Sequence, residues 1–138
     1  MGAFGALMST AGLIALTDTP VTVPLPAQSS ASTGLDFTTA DNITIVEDGV
    51  YRIDFHVLGS FSEIGNVGVS LAIDGTPQPD GILAYELLAS EIITFTLTNY
   101  YAFTAGAQLS LQMSASVSGN FIFAVTGSSA ILSVERVA

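Results

Sequence analysis

The chain has 138 residues, no cysteine and no lysine, and two basic side chains against twelve acidic ones, for a formal net charge of −10. That balance excludes nucleic-acid binding, which rests on Lys and Arg neutralising phosphates, and docking on an anionic membrane; the lack of cysteine excludes disulfides and thiolate chemistry. Charged residues make up 10% of the chain, against about 25% in a typical domain, so serine and threonine supply most of the polarity, and trypsin-like proteases find only two sites.

A chain of this length is expected to form one domain, residues 1–138, that buries roughly two-thirds of its unfolded surface without staples. The opening "GAFGALMSTAGLIALT" is apolar, but the first basic residue is Arg52, so it lacks the positive start of a signal peptide. It is also too short and too Gly-broken to span a bilayer. Residues 1–16 are therefore read as the first strand region, with no membrane insertion. Gly2 and Gly5 stand three apart, as at the end of a G-x-y tract.

Residues 17–34 hold three of the five prolines and then a Ser/Thr/Ala stretch. Proline breaks a strand ladder, so this segment is expected to run extended over the surface or along an edge. "ITIVEDG" (43–49) closes on an Asp-Gly turn signal. "GVYRIDFHVLGS" (49–60) alternates: Tyr51, Ile53, Phe55 and Val57 share one face, and Arg52, Asp54, His56 and Leu58 the other. "NVGVSLAIDG" (66–75) reads as a strand ending in a second Asp-Gly turn, "TPQPDG" (76–81) as a proline-rich loop, and "ILAYELLAS" (82–90) as a strand.

"EIITFTLTNYYAFT" (91–104) sets Ile93, Phe95, Leu97, Tyr101 and Phe103 against Thr94, Thr96, Thr98 and Tyr100. "AGAQLSLQMSASV" (105–117) points Leu109, Leu111 and Met113 inward and Gln108, Ser110 and Gln112 outward. "GNFIFAVTG" and "SSAILSVERVA" complete the series. In that last run Leu132/Val134 and Ile131/Val137 compete for the buried face. The pattern predicts an all-β jelly-roll sandwich of about eight to ten antiparallel strands.

Catalytic readings are thin. "ALTDTP" (15–20) and "HVLG" (56–59) resemble the Ala-Leu-Leu-Asp-Thr-Gly loop and the later hydrophobic-hydrophobic-Gly motif of retroviral-type dimeric aspartic proteases, in which Asp18 from each copy would share a proton. Pro20, however, stands where that loop needs glycine. Asp54 and His56 share a face, but no Gly-x-Ser-x-Gly elbow exposes a nucleophile. One histidine offers too few ligands for a zinc site. Asp74 and Asp80 lack the regular acidic spacing of a Ca²⁺ loop, and "NIT" (42–44) reads as a turn entering a strand. No cofactor or metal is expected.

"GVYRIDFHV" and "FTAGAQLSLQM" resemble strands of the globular heads of complement's first component and of tumour-necrosis-factor relatives, with Ala107 where that superfamily often has Asp. "LAIDGTPQPDG" and "SSAILSVERVA" are similar to a hairpin and the ending of the C-terminal domain of collagen-like exosporium glycoproteins (the BclA type) that coat bacterial spores. The resemblance covers most of residues 35–138. It implies a non-enzymatic homotrimer at the tip of a collagen-like stalk, on the outermost layer of the spore. Adhesion to a host surface protein or glycan is a further role it suggests. Both chain ends are expected at one pole, with 130–138 as a central strand beside the first. The outer face of that sheet would pack near the threefold axis, which makes Arg52, Asp54, His56, Leu58, Tyr100 and Phe4 the candidate interface. The alternatives are a receptor- or glycan-binding head of a phage or pilus fibre, and the protease.

Overall fold

The computed structural model describes residues 2–9, 12–29, 33–124 and 129–138. Parts of four sequence segments therefore lie outside the described residues: 1 and 10–11 of the first region, 30–32 of the Pro/Ser/Thr-rich stretch, 125–127 after "GNFIFA", and 128 of the last run. Among the described residues the secondary structure consists of thirteen strands. They are β1 (Phe4–Ser9), β2 (Leu13–Leu16), β3 (Val21–Thr22), β4 (Ala27–Gln28), β5 (Leu35–Asp36), β6 (Ile43–Ile45), β7 (Gly49–Phe61), β8 (Gly65–Ile73), β9 (Thr76–Leu87), β10 (Ile92–Phe103), β11 (Gln108–Ala115), β12 (Gly119–Phe123) and β13 (Ala130–Arg136). The number exceeds the expected eight to ten because two- and three-residue strands, too short to show alternation, fill the sheet margins.

The strands pair antiparallel in two sheets. One sheet is organised by β7. Strand β10 follows one edge of it along its whole length. The other edge is shared in succession by β12, opposite residues 59–61, and β13, opposite residues 51–57. Strand β1 then flanks β13 and β4 flanks β1, while β2 flanks β12. The second sheet runs β5-β6-β11-β8-β9, with β3 also against β11.

The core lies between the sheets and follows from period-two alternation. Tyr51, Ile53, Phe55, Val57 and Phe61 of β7 are all buried, and they meet Val67, Val69 and Leu71 of β8 and Leu109, Leu111 and Met113 of β11. Within the β7 sheet Phe95 stands 6.2 Å from Phe121 and Tyr51 5.8 Å from Phe103, and Tyr85 of β9 reaches Phe95 from the second sheet at 5.4 Å. Each large apolar side chain buried this way contributes about 1.5–3 kcal/mol. Leu132 and Val134 of β13 are buried and Val137 is 46% exposed, which decides the competition left open by the sequence in favour of Leu132/Val134.

The hairpin between β8 and β9 turns on Asp74 (φ 53°) and Gly75 (φ 83°). Two positive φ angles are what a two-residue turn of this hand requires, hence Asp-Gly. The segment 76–81 is not a loop, as its prolines suggested, but the first half of β9. Strand β9 is an edge, paired with β8 alone, so Pro77 and Pro79 need not donate to a further neighbour. A register shift between Ser70 and Ala72 absorbs the irregularity. Asp48-Gly49, the other Asp-Gly signal, joins no hairpin: it carries the chain from β6 in one sheet to β7 in the other. There the Asp48 carboxylate accepts a hydrogen bond from the Ala105 amide (2.8 Å).

Two further expectations need correction. Ser110 and Gln112 face outward as predicted, yet they are buried (3% and 8% exposed) because β11 lies mid-sheet. Gln112 keeps its amide satisfied by donating from Nε2 to the Gly75 carbonyl (3.1 Å). The segment 17–34 does lie along edges through β3 and β4, but it is not all surface: Val23 and Leu25 are fully buried. Its path is held by Asp41, whose Oδ1 accepts the Leu25 amide at 2.7 Å.

Chain ends meet at one pole. Arg136 N donates to Ala3 O (2.7 Å), and Phe4 pairs with Glu135. Strand β13 is thus a central strand between β7 and β1, as the sequence suggested.

Candidate functional site

The outward face of the β7 sheet brings all six singled-out residues onto one surface. In register, Tyr100 of β10, Arg52 of β7, Glu135 of β13 and Phe4 of β1 form one row. The next row is Thr98, Asp54, Ser133 and Ala6, and the one after is Thr96, His56, Ile131 and Met8. Leu58 follows beside Thr94. Strand neighbours stand about 4.8 Å apart, so the six span adjacent rows of a continuous sheet. Tyr100 is 59% and Phe4 40% exposed, which leaves large apolar surface uncovered on the chain.

Arg52 is the electrostatic centre of this face. Its Nε lies 3.2 Å from Asp54 Oδ2 and its Nη2 3.4 Å from Glu135 Oε1. The Nε atom is shielded from solvent and its contact with Asp54 is an ion pair without hydrogen-bond geometry. Asp54 is also bound through Oδ1, which accepts the Thr98 hydroxyl. One cation is therefore held between two carboxylates at half-exposed positions, where such pairs are worth at most about 1 kcal/mol in water. Around it Phe4, Ser29, Arg52, Asp54, Ser133 and Glu135 border a depression of about 250 Å³.

The face continues past the predicted six. Ile92, Ser60, Ile122 and Leu13 stand in register across β10, β7, β12 and β2, and the three aliphatic side chains are 67%, 43% and 60% exposed. The alternation of 91–104 carries the signal for Ile92, which falls on the same face as Thr94 and Tyr100. Leu13 and Ile122 become neighbours only through long-range pairing.

The second arginine has a different task. Arg136 pairs through Nη1 with Glu47 Oε2 (3.2 Å) and donates from Nη2 to the Asp48 carbonyl (2.9 Å). It ties the end of β13 to the turn that enters β7. Beneath it the buried Tyr51 hydroxyl donates to the Glu47 carbonyl (2.7 Å). Burial pushes the Tyr51 phenol above its ordinary value; the Arg136 charge opposes this, and Glu47 and Asp48 add to it.

The catalytic motifs are not assembled. Asp18 is exposed in the bend between β2 and β3, and His56-Val57-Leu58-Gly59 is the interior of β7. No hydrogen bond joins Asp54 to His56, since Asp54 is engaged by Arg52 and Thr98. Asp74 in the β8–β9 turn accepts the Gln108 amide (3.0 Å), and Asp80 on β9 accepts the Tyr101 hydroxyl (3.3 Å), so both carboxylates serve the fold. Among the described residues no group of three or more His, Cys, Asp or Glu is placed to hold a metal ion, and no helix is long and apolar enough to cross a membrane. Asn42 sits in the turn entering β6, its side chain donating to the Ala40 carbonyl.

No protein-family model matches the sequence, and no curated protein does. Solved structures do. Murine APRIL at pH 5.0 superposes with a TM-score of 0.75 at 11% identity, over 99% of this chain and 100% of that one. The Eiger TNF of S. frugiperda gives 0.67 at 9% identity, over 100% of this chain and 92% of that one. Pika GITRL gives 0.61 at 15% identity, over 99% and 96%. At such identities the likeness is one of fold, and the chain is an all-β jelly-roll sandwich of the tumour-necrosis-factor type.

Proposed function

We propose that this domain is a non-enzymatic trimerising head that displays its surface from the tip of a collagen-like stalk, in a glycoprotein of the bacterial exosporium. The observation that carries the reading is the outward face of the β7 sheet. It combines exposed aromatic and aliphatic side chains with one internally compensated charge cluster, Arg52–Asp54–Glu135. Apolar surface of this kind on a sheet face is what an obligate interface covers. Once covered by a neighbouring copy, the charges at its centre would fix how the copies register.

The meeting of β1 and β13 at one pole supports the same reading. Three stalk chains entering there would be held side by side, in register for winding, while the opposite pole points away. The hydroxyl-rich surface with two trypsin-type sites suits an outermost layer. Tumour-necrosis-factor-type folds and the sequence resemblance to exosporium glycoproteins both favour self-association over a solitary head.

Light scattering on the purified chain tests this directly. A mass of three times 14.2 kDa is expected. A monomer at micromolar concentration overturns the reading, and a dimer reopens the aspartic protease built on Asp18. A long G-x-y tract upstream of residue 1 is the expected genomic context.

A further inference from the structure

Three loops meet at the pole opposite the chain ends: 62–64 between β7 and β8, 88–91 between β9 and β10, and 116–118 between β11 and β12. Loop tips on jelly rolls are normally polar. At the chain-end pole they are largely so: of Val46-Glu47-Asp48, Asp74-Gly75 and Thr104-Ala105-Gly106, Val46 (50% exposed) is the one large apolar side chain. At the far pole the bend 17–20, held where Ala115 N donates to Thr17 O (2.7 Å), is polar, but each of these three loops carries a large apolar side chain in solvent. Ile64 and Leu88 are each 63% exposed, and Val117 is 40% exposed.

These three form one patch. Gly65 pairs with Leu87, so Ile64 and Leu88 are the next residues out across the β8–β9 ladder. Ala115 pairs with Val67, and Ser116 N donates to Asn66 O (2.9 Å), which brings Val117 opposite Gly65. A Cβ on Gly65 would come within 2.9 Å of Val117 Cγ2. Glycine there is what lets the valine lie over the strand end. Three apolar tips thus cap three adjacent strands, a width of about 10 Å at the usual strand spacing.

The rim of the patch is acidic. Glu63, Glu86 and Glu91 are all exposed beside it, and Glu91 is fixed by accepting the Leu88 amide at 3.1 Å. No cation offsets them. The sequence has no lysine, and its two arginines pair in register near the other pole, Arg52 with Tyr100 and Arg136 with Tyr51.

We propose that this far pole is a docking surface for a protein partner whose contact site has an apolar centre and a Lys/Arg rim. Charge decides between occupants. A second copy would set carboxylates against carboxylates, and an anionic lipid surface would be repelled. A basic-rimmed apolar protein surface satisfies both the Ile64–Leu88–Val117 centre and the glutamate rim. The inference concerns each head separately and does not depend on how many heads assemble.

The test uses the full chain and a fluorescein-labelled helical peptide of leucine and lysine as the probe, with two controls, a lysine/serine peptide of equal charge and a leucine/glutamate peptide. Anisotropy titrations should show binding of the leucine/lysine peptide at least tenfold tighter than either control. The combined variant Ile64→Ser, Leu88→Ser, Val117→Ser keeps the charge and removes the apolar centre; it should weaken that binding tenfold or more while leaving the melting temperature and the scattering mass unchanged. Equal binding by the variant overturns the proposal, because attachment would then be charge alone. Two other outcomes also overturn it: variant-sensitive binding to phosphatidylcholine vesicles in place of the peptide, and a variant-sensitive rise in mass beyond the basic assembly, which would make the occupant lipid or a second copy.

Discussion

Replacing Arg52 by alanine separates a surface ion pair from an interface anchor. On a single protomer both of its partners are accessible: the side chains are 42% exposed for Arg52, 38% for Asp54 and 44% for Glu135. Losing two such pairs costs within about 1 kcal/mol. Unfolding entropy is about 2.1 cal/mol/K per residue, so a chain of 138 residues would melt no more than about 3 °C lower. If the chain assembles through this face as proposed, the same cluster would be desolvated, and removing the cation would strand two carboxylates. That costs about 3–5 kcal/mol per site, or roughly a hundred- to several-thousand-fold in association. Light scattering over a dilution series, with melting temperature read at each concentration, measures both quantities. Adding Asp54→Asn and Glu135→Gln to Arg52→Ala removes the stranded charges and should restore most of the association. If Arg52→Ala associates like the parent chain, and the triple variant gains nothing, Arg52 does not lie in the interface.

The two faces of β13 give a second contrast. Leu132→Ala empties a fully buried site and should cost about 2–5 kcal/mol, a drop on the order of 10 °C at every concentration. Ile131→Ala, on the outward face beside His56, should leave a dilute protomer within a few degrees and shift only the concentration dependence of assembly; exchanged roles would mean that β13 is turned over. Alkaline pH supplies a third. Burial holds the Tyr51 phenol above its ordinary value, and burial with the nearby Asp80 does the same for Tyr101. The folded state therefore keeps these protons to higher pH than the unfolded chain. Their contribution is complete below about pH 10, the unfolded tyrosine value, and fades as pH rises through the folded values. Melting scans from about pH 8 upward should show that decline, and Tyr51→Phe with Tyr101→Phe should flatten it; an identical slope in the variant contradicts the assignment.

Long strands were legible because a buried face must alternate. Residues 49–60 and 91–104 show their inward and outward sides directly, and the candidate face followed from placing those strands in one sheet. What stayed hidden depended on position in the sheet. Pro77 and Pro79 looked like loop residues because whether a strand is an edge is a property of its neighbours. Ser110 and Gln112 are polar by pattern, yet central strands shield them. The Ile92–Ile122–Leu13 row joins residues far apart in the chain, and no local period records such a meeting. Ile64, Leu88 and Val117 carried a local signal, large apolar residues between strands, which alternation has no means of reading.

The antiparallel pairing of β1 with β13 has a mechanical consequence. Six consecutive register pairs, from Phe4–Glu135 to Ser9–Ala130, bind these strands. Their hydrogen bonds run across the strand direction. A load entering at Phe4 and leaving at the far pole pulls along β1, so the bonds are sheared together and share the force. A load between Phe4 and Glu135 would instead peel the same ladder open one pair at a time. If the domain is anchored at one pole and gripped at the other, as proposed, it would be strained in its stronger direction.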